Sequence, residues 1–301
     1  MTFIKENFSI KDLENLSGIK AHTIRIWEQR YSLLQPNRSD SNIRTYSVTE
    51  LLKLLSIKIL RDNNVKISKI ANLSEEEISE KLLKLTTFKD NYFGNQTNEL
   101  LVAMLSFDVL KFHSIFNHCR TKYSFEDIFL NVFIPLFERI GMLWQTNSIQ
   151  PAHEYFISNL VRQKLYVEIE NVKIIKPEDE AHLHVVLLPL NEIHDLGSLF
   201  LHYQLSSWGK NVVYLGPNVS EKSLSALSEL QKGKTSYFIY GTIYPLTDDI
   251  PEFVQKIKSL LQKDDTMILA GRKAIEIREL CKLDPKIKVL DSLLDLKQAI
   301  S

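Results

Sequence analysis

The hydrophobic positions of the chain follow two patterns. Up to about residue 171, apolar side chains recur three and four positions apart, the spacing of helices that bury one face. After residue 172, short apolar runs such as VVLLPL, NVVYLGP and YFIYGTI alternate with helical stretches. Since that alternation is typical of a parallel sheet flanked by helices, we predict a multidomain α and α/β chain.

The first 70 residues predict a small helical unit. Ser9 is a good N-cap for a helix over IKDLENL that ends at Gly18, and a second helix is predicted over about 21–30. The polar stretch YSLLQPNRSDSNIRTY then predicts a loop or small wing. Ser47 is the expected N-cap of a third, strongly apolar helix.

The middle of the chain predicts a helical bundle. Polar residues near 89–97 indicate a loop, and helical segments are then predicted near 98–106, 108–120, 125–145 and 151–171. The predicted domains are an N-terminal unit over 1–75, a linker helix and loop over 76–97, a helical bundle over 98–172 and an α/β domain over 173–301.

Composition indicates an ordinary globular protein. No apolar run reaches the ~18 residues that would cross a bilayer, and the N-terminus has no signal-peptide core, so we expect a cytoplasmic protein without membrane contact. Two distant cysteines, Cys119 and Cys281, exclude a disulfide framework and a cysteine-rich zinc site. The net charge is zero, yet residues 1–70 hold twelve Lys and Arg against seven Asp and Glu. This local basic surplus suggests contact with phosphate.

Two faces of the second predicted helix differ in chemistry. Three residues share an apolar or aromatic face: Ile24, Trp27 and Tyr31. Three residues share a polar or basic face: His22, Arg25 and Gln29. A helix-turn-helix needs this division, because one face of its second helix packs while the other enters the major groove. A helical protein-interaction module with incidental arginines is the alternative.

The local motifs TIRIWEQRY and, after the polar wing, IRTYS closely resemble the winged helix-turn-helix of MerR-family transcriptional regulators, over about residues 8–73. The resemblance implies that Arg25, Tyr31, Arg44 and Tyr46 contact DNA. Residues at the leading end of the recognition helix and arginines around the wing complete the expected DNA-binding set: Lys20, His22, Thr23, Arg30 and Arg38. Trp27 is interpreted as core.

The turn NEIHDLG follows the first predicted strand, about 183–189. Ligands of open parallel sheets bind beyond the carboxyl ends of the strands. An imidazole there can bind a transition metal if a carboxylate holds its other nitrogen, and Glu192 is the first candidate, Asp195 the second. Gly197 would let a bulky ligand approach the next helix. One histidine cannot form an ordinary metal site, but it suffices if a macrocycle brings the metal; otherwise His194 is a solvated loop residue.

The acid-x-His-x-x-Gly motif resembles the cobalamin-binding domains of methionine synthase, mutases and CarH-type regulators. There the histidine binds cobalt from below and displaces the dimethylbenzimidazole base, which inserts into the domain. The resemblance implies that His194 is the lower axial ligand. Two later segments correspond to the family's tail pocket, Gly241-Thr242-Ile243-Tyr244 and Ala270-Gly271. Thr242 keeps a hydroxyl, whereas one glycine of the usual Gly-Gly pair is alanine, leaving Gly271.

The helical bundle offers a second point of resemblance. CarH-type proteins cover the upper face of the corrin with a Trp, followed about ten residues later by Glu-His. Here Trp144 and Glu154 match, but Tyr155 stands at the histidine position and Gln145 at a second histidine found in photoreceptors of the family. These departures count against light-driven chemistry. The alternative makes Trp144 simple bundle core.

The remaining histidines receive no role. His113 and His118 are too far apart for a metal pair spaced by four residues. His182 and His184 flank the start of a strand and are expected to be exposed.

These patterns together predict a MerR-type regulator, not an enzyme, with a Rossmann-like cobalamin-binding domain. It would respond to adenosylcobalamin or methylcobalamin, with light as a further input, and bind a double-stranded DNA operator as a homo-oligomer, dimer or tetramer. Repression is the expected effect. One alternative is a regulator whose degenerate sensor binds no cobalamin and serves oligomerisation or a partner. The other is a corrinoid carrier subunit of an enzyme.

Overall fold

The computed structural model describes residues 7–38, 44–62, 64–74, 77–78, 81, 89–145, 149–173, 176–177, 179–231 and 233–300. The chain forms two compact units, residues 1–159 and residues 160–301. No helix in the described ranges has the length and apolar character to cross a membrane.

The first unit begins with short strands and helices: β1 (Asn7–Phe8), α1 (Ile10–Ser17), α2 (Ala21–Tyr31), β2 (Asn37–Arg38), β3 (Arg44–Ser47), α3 (Val48–Asp62) and α4 (Ile67–Ile70). Strand β3 pairs antiparallel with both β1 and β2, and its pairing with β2 forms the predicted wing. Ser9 caps α1 in a reciprocal capping box with Asp12, and Gly18 ends that helix with φ 71°. Both predicted helix ends are confirmed.

The apolar face predicted for the second helix lies in the core. Ile24 and Trp27 are buried there together with Leu13 and Leu16 of α1 and Leu54 of α3. The helices α1, α2 and α3 therefore form one small core beneath the wing.

The rest of the first unit is helical: α5 (Lys89–Leu105), α6 (Val109–Arg120), α7 (Phe125–Ile128), a π-helical turn (Phe129–Phe133), α8 (Ile134–Gln145) and the first half of α9 (Pro151–Glu170). Phenylalanine rings fill its centre. The rings of Phe112, Phe116 and Phe133 stack nearly parallel, with centroids 6.2–6.5 Å apart.

The loop predicted near 89–97 is helical instead, because α5 begins at Lys89. Tertiary contacts explain the difference. The buried Phe93 ring lies 4.7 Å from the ring of Tyr123, and the Thr97 hydroxyl donates to the carbonyl oxygens of Phe93 and Val132. Packing therefore overrides the weak local helix propensity of this polar stretch.

A buried arginine joins the N-terminal helices to the bundle. The Arg139 guanidinium of α8 donates to the Leu16 carbonyl oxygen at the end of α1 and to the Asn98 side chain of α5. Burial lowers the pKa of Arg139 to about 10. This contact satisfies an α1 carbonyl that the helix leaves without an internal partner.

The second unit is an α/β domain. Its elements are β4 (Leu183–Pro189), α10 (Leu196–Ser207), β5 (Val212–Val219), α11 (Glu221–Leu230), β6 (Thr235–Tyr240), a 3₁₀ turn (Thr247–Asp249), α12 (Ile250–Leu260), β7 (Thr266–Ala270), α13 (Arg272–Leu280), β8 (Ile287–Val289), a second 3₁₀ turn (Leu293–Asp295) and α14 (Leu296–Ile300). All strand pairs are parallel and the order is β5-β4-β6-β7-β8.

Alternate strand residues build two cores. Val185 and Leu187 face a cluster formed with α11, α12 and α13, whereas Val186 and Phe238 face a cluster formed with α10 and α14. Strand β4 lies between β5 and β6, so the chain winds in opposite directions on its two sides. The carboxyl edge between β4 and β6 is therefore the topological switch point, the usual place of a ligand in such sheets.

One expectation about this domain is wrong. His184 is 3% exposed, because its backbone lies in the interior strand β4 and its ring stacks between His182 and Phe238. Burial lowers the pKa of His184 to about 4, and the neighbouring His182 adds to the effect.

Candidate functional sites

The polar face of α2 is open to solvent. Lys20, His22, Arg25 and Arg30 are exposed, and Thr23 and Tyr31 are half-buried. The Arg30 guanidinium lies over the Tyr31 ring, 5.5 Å from its centroid. The described side chains of the predicted recognition helix thus form one basic surface. The backbone of Arg38 lies in β2, and its side chain is outside the described part of the chain.

A glutamate of α2 holds the two wing residues of the predicted DNA-binding set. The Glu28 carboxylate accepts from the Arg44 Nε at 3.0 Å and from the Tyr46 hydroxyl at 2.9 Å. Burial, followed by the bond to Glu28, raises the pKa of Tyr46, whose side chain is 0% exposed. In this structure Tyr46 belongs to the core beneath the wing, and Arg44 is the wing residue of the pair that reaches the surface.

The NEIHDLG turn lies at the switch point of the sheet. It follows β4 directly and contains Glu192, which is 0% exposed. One carboxylate oxygen of Glu192 accepts from the backbone N–H and the ring Nδ1 of His194, at 2.9 and 2.6 Å. The other accepts from three successive backbone N–H groups in the loop after β6, those of Thr242, Ile243 and Tyr244, at 2.9–3.1 Å. Glu192 therefore joins the two loops at the switch point.

These hydrogen bonds fix the charge of Glu192 and the tautomer of His194. Burial alone would raise the pKa of Glu192, but the His194 ring and the backbone donors outweigh it and lower the pKa to about 2. An ionised carboxylate only accepts, so the proton of neutral His194 is on Nδ1. Its Nε2 then carries the lone pair, the form in which imidazole binds metals.

The second carboxylate of the turn has a different partner. The Asp195 carboxylate accepts hydrogen bonds from two nitrogens of the Arg162 guanidinium in α9. Nε lies 3.0 and 3.1 Å from its two oxygens, and Nη2 lies 2.7 Å from Oδ1. This bond to Asp195 raises the pKa of Arg162. Asp195 thus anchors the turn to a helix. The sequence carries no signal for this pairing, since the two residues are 33 positions apart.

Gly197 allows a close approach, but the group that approaches it is part of the protein. A Cβ atom at Gly197 would lie 2.6 Å or less from three ring atoms of Tyr240, the last residue of β6. Gly271 contacts the same ring from the start of α13: its Cβ would lie 3.1 Å from the Tyr240 Cε1 atom. Tyr240 is not among the residues that the sequence motifs predict for this site.

The edge of the sheet around His194 is apolar. Four large hydrophobic side chains are more than a third exposed in the loops that follow β4 and β6: Leu190, Ile193, Ile243 and Leu246. Exposed apolar groups gathered around a polar centre mark a binding surface. Within the described residues no cluster of three or more His, Cys, Asp or Glu could hold a bare metal ion.

The predicted upper-pocket residues lie on bundle helices. Trp144 and Gln145 have backbone positions at the end of α8, but their side chains lie outside the described part of the chain. On α9, Glu154 is half-buried, its neighbour His153 is buried and Tyr155 is 67% exposed.

Comparison with known proteins finds two family models that match separate parts of the chain. Residues 8–77 match the family model of MerR HTH family regulatory proteins, and residues 96–167 match that of the B12 binding domain. The HTH-type transcriptional repressor CarH of Myxococcus xanthus is 25% identical over 73% of this chain and 74% of its own length. The HTH-type transcriptional regulator MlrA of Escherichia coli is 26% identical over 44% of this chain, which spans about half of MlrA.

Among solved structures, the monomethylamine corrinoid protein of Methanosarcina barkeri superimposes with a TM-score of 0.55, at 14% identity, over 67% of this chain and 94% of that protein. At this identity the likeness concerns the fold alone, and it confirms the predicted Rossmann-like class.

The chain thus combines a MerR-type helix-turn-helix domain with a match to the B12 binding domain, as its motifs predicted. Its curated relatives CarH and MlrA are transcriptional regulators, which agrees with the prediction that it is not an enzyme.

Proposed function

We propose that this protein is a transcriptional repressor that responds to cobalamin through His194. The pairing of His194 with Glu192 carries the proposal, because a buried carboxylate fixes the imidazole in the tautomer whose Nε2 carries the metal-binding lone pair. A bound cobalamin would supply a cobalt ion with four equatorial ligands already in place. One protein nitrogen is then enough to hold it.

The surroundings of His194 fit the corrin end of such a ligand. The ring side chain of His194 is 34% exposed, and the apolar groups around it would be covered by a flat macrocycle. Glu192 and Asp195 would keep the turn in place, and the backbone of Thr242 belongs to the same hydrogen-bonded loop. The fit does not extend to the slot between Gly197 and Gly271, which Tyr240 fills.

From the resemblance we further propose that Trp144 and Glu154 shape the space above the corrin. Either adenosylcobalamin or methylcobalamin would then be accepted. A response to the vitamin without light-driven release is the form that we propose, because Gln145 and Tyr155 replace the histidines of light-sensing relatives.

DNA binding is assigned to the exposed face of α2 and to the wing. Arg25 and His22 would reach base edges in the major groove, while Lys20, Thr23, Arg30, Tyr31, Arg38 and Arg44 would contact the backbone. Tyr46 would act indirectly, by holding Glu28 beneath the wing. An operator read by symmetric pairs requires at least a dimer, and a tetramer would increase avidity. The cytoplasm remains the expected location.

An absorption spectrum tests the ligand assignment. Wild-type protein reconstituted with adenosylcobalamin and freed of excess ligand should retain the visible corrin bands, and His194→Ala should lose them. His118→Ala, which removes an exposed histidine of α6, is the matched control and should behave as wild type. A wild type that retains no corrin would reject the proposal and favour a regulator with a degenerate sensor.

Two further measurements complete the test. Operator binding should change when cobalamin is added to wild type, but not when it is added to His194→Ala. Operator affinities measured before and after illumination of the adenosylcobalamin complex should coincide. If they differ, the proposal of a response without light is wrong, while the ligand assignment stands.

A further inference from the structure

The space between the first turn of α10 and the first turn of α13 is filled by one ring. Tyr240 ends β6, and its side chain points to the same face of the sheet as Phe238, two residues earlier. Glycine at 197 makes room for it, because a Cβ there would lie 2.3–2.6 Å from three ring atoms. A Cβ at Gly271 would lie 3.1 Å from the ring and 2.5 Å from the Gly241 carbonyl oxygen. The two glycines therefore form a slot, and the slot has an aromatic occupant.

Tyr214 of β5 packs against the same core cluster as Tyr240. Tyr214 of β5 and His202 of α10 stack almost parallel, with centroids 5.1 Å apart, and the Ser198 and Tyr214 hydroxyls lie 3.3 Å from each other. Ser198 is fully buried, and burial raises the pKa of Tyr214 to about 12 and lowers that of His202. The cluster between α10 and the sheet therefore contains aromatic side chains besides Tyr240.

This packing disagrees with one expectation. The resemblance implies that the dimethylbenzimidazole base leaves the cobalt and enters a pocket lined by glycines, and Gly271 belongs to the segment predicted to line it. The base is a flat aromatic group, as is the Tyr240 ring, so the two cannot share one slot between Gly197 and Gly271.

We infer that Tyr240 excludes the nucleotide base from the domain, so that the site selects corrinoids whose lower nucleotide is absent or stays outside. This rests on the proposed corrinoid site at His194. A complete cobalamin would give up its own cobalt–base bond to His194 without gaining a protein pocket for the base. Cobinamide, which ends before the nucleotide, loses no such bond.

The test compares two ligands on three proteins. Cobinamide and cobalamin are each titrated into wild type, Tyr240→Ser and Tyr240→Phe, and affinities are read from the visible absorbance. Wild type should bind cobinamide at least about tenfold more tightly than cobalamin. Tyr240→Ser, which empties the slot, should gain about tenfold in cobalamin affinity with little change for cobinamide. Tyr240→Phe keeps a ring in the slot and should keep the wild-type ratio.

The ratio in wild type decides the question even if Tyr240→Ser does not fold. A wild type that binds cobalamin as tightly as cobinamide, or more tightly, would overturn the inference while leaving the corrinoid site in place. An unchanged ratio in folded Tyr240→Ser would overturn it too. Failure of wild type to bind cobalamin, while it binds cobinamide, would reject the proposed response to cobalamin and support this inference; failure of both ligands would reject both.

Discussion

Two glutamates organise the two candidate sites of this protein, and they differ in what they bind. Glu28 in α2 accepts hydrogen bonds from two side chains of the wing, Arg44 and Tyr46. Glu192 at the switch point accepts from one imidazole and from four backbone N–H groups. The side chain of Glu28 is 10% exposed and that of Glu192 is 0% exposed.

The difference bears on how firmly each site is held. Backbone donors belong to the fold, so the network of Glu192 cannot relax without moving the loop after β6. The partners of Glu28 are side chains that can rotate, which suits a wing that adjusts to DNA. We therefore expect substitutions at Glu192 to change stability and ligand binding together, and substitutions around Glu28 to act mainly on DNA binding.

The largest effect is expected for Glu192→Gln. The amide would direct N–H groups at backbone donors, and the buried charge that holds His194 would be lost. We expect a loss of about 3 kcal/mol in the free energy of unfolding, measured by urea denaturation, and a loss of about 10- to 100-fold in corrinoid affinity.

The matched control for this change is Glu229→Gln, on the exposed surface of α11. It removes the same charge from the same domain and should leave both stability and corrinoid affinity unchanged. If Glu192→Gln unfolds at the same urea concentration as wild type, the described hydrogen bonds do not hold the switch point together.

The next effect concerns pH. The pKa of His184 is lowered from 6.5 to about 4, so the unfolded chain takes up a proton that the folded domain resists. Protonation of His184 therefore does not reduce the free energy of unfolding above pH 6.5. As the pH drops from 6.5 to 4, it reduces that free energy by up to about 1.4 kcal/mol per pH unit. Glu192 affects stability at lower pH. Because its pKa is lowered from 4.5 to about 2, the stability that its ionised form contributes is lost as the pH falls from 4.5 to about 2.

Unfolding free energies measured from pH 7 to pH 4.5 check this. His184→Phe keeps a ring between His182 and Phe238. It should reduce the slope of the unfolding free energy against pH by the amount that corresponds to uptake of about one proton on unfolding. His118→Phe, at an exposed position, should keep the wild-type slope. Equal slopes for wild type and His184→Phe would show that His184 is not the titrating group.

A third substitution tests DNA binding by α2. Arg25→Ala removes an exposed guanidinium from α2 and should weaken binding to DNA from the protein's own promoter by about 1–3 kcal/mol, without altering stability. Fluorescence anisotropy at several salt concentrations measures it. Arg278→Ala, exposed on α13, removes the same charge from the other unit and should not affect DNA binding. Equal affinities of wild type and Arg25→Ala would exclude α2 as the recognition helix.

Local signals made much of the fold predictable. Ser9 and Gly18 mark the ends of α1, and the alternation after residue 172 gave the parallel sheet. Glu192 was identifiable as the partner of His194 because both belong to one turn. Such features depend on residues that are close in sequence, where spacing alone limits the geometry.

The features that escaped prediction depend on distant residues. The helix over 89–97 is stabilised by contacts with Tyr123 and Val132, and Arg162 meets Asp195 across 33 positions. Tyr240 occupies the slot between Gly197 and Gly271 because β6, α10 and α13 converge there. The residues next to them in sequence do not specify such contacts. The inference about which corrinoids the site binds therefore depends on the structure, because the NEIHDLG motif does not include Tyr240.

The smallest effect is expected for Tyr46→Phe, which tests the weaker of the two carboxylate networks. The change removes one hydrogen bond to Glu28 and keeps the ring in the core, and Glu28 retains Arg44 and some access to water. We expect a loss of about 1 kcal/mol in stability and a reduction in DNA affinity of at most about threefold, measured by urea unfolding and anisotropy on the same samples. Tyr123→Phe, at a half-buried ring of the bundle, is the control and should leave DNA affinity unchanged. A loss for Tyr46→Phe as large as that for Glu192→Gln would mean that the wing is held as rigidly as the switch point, and the contrast between the two glutamates would fail.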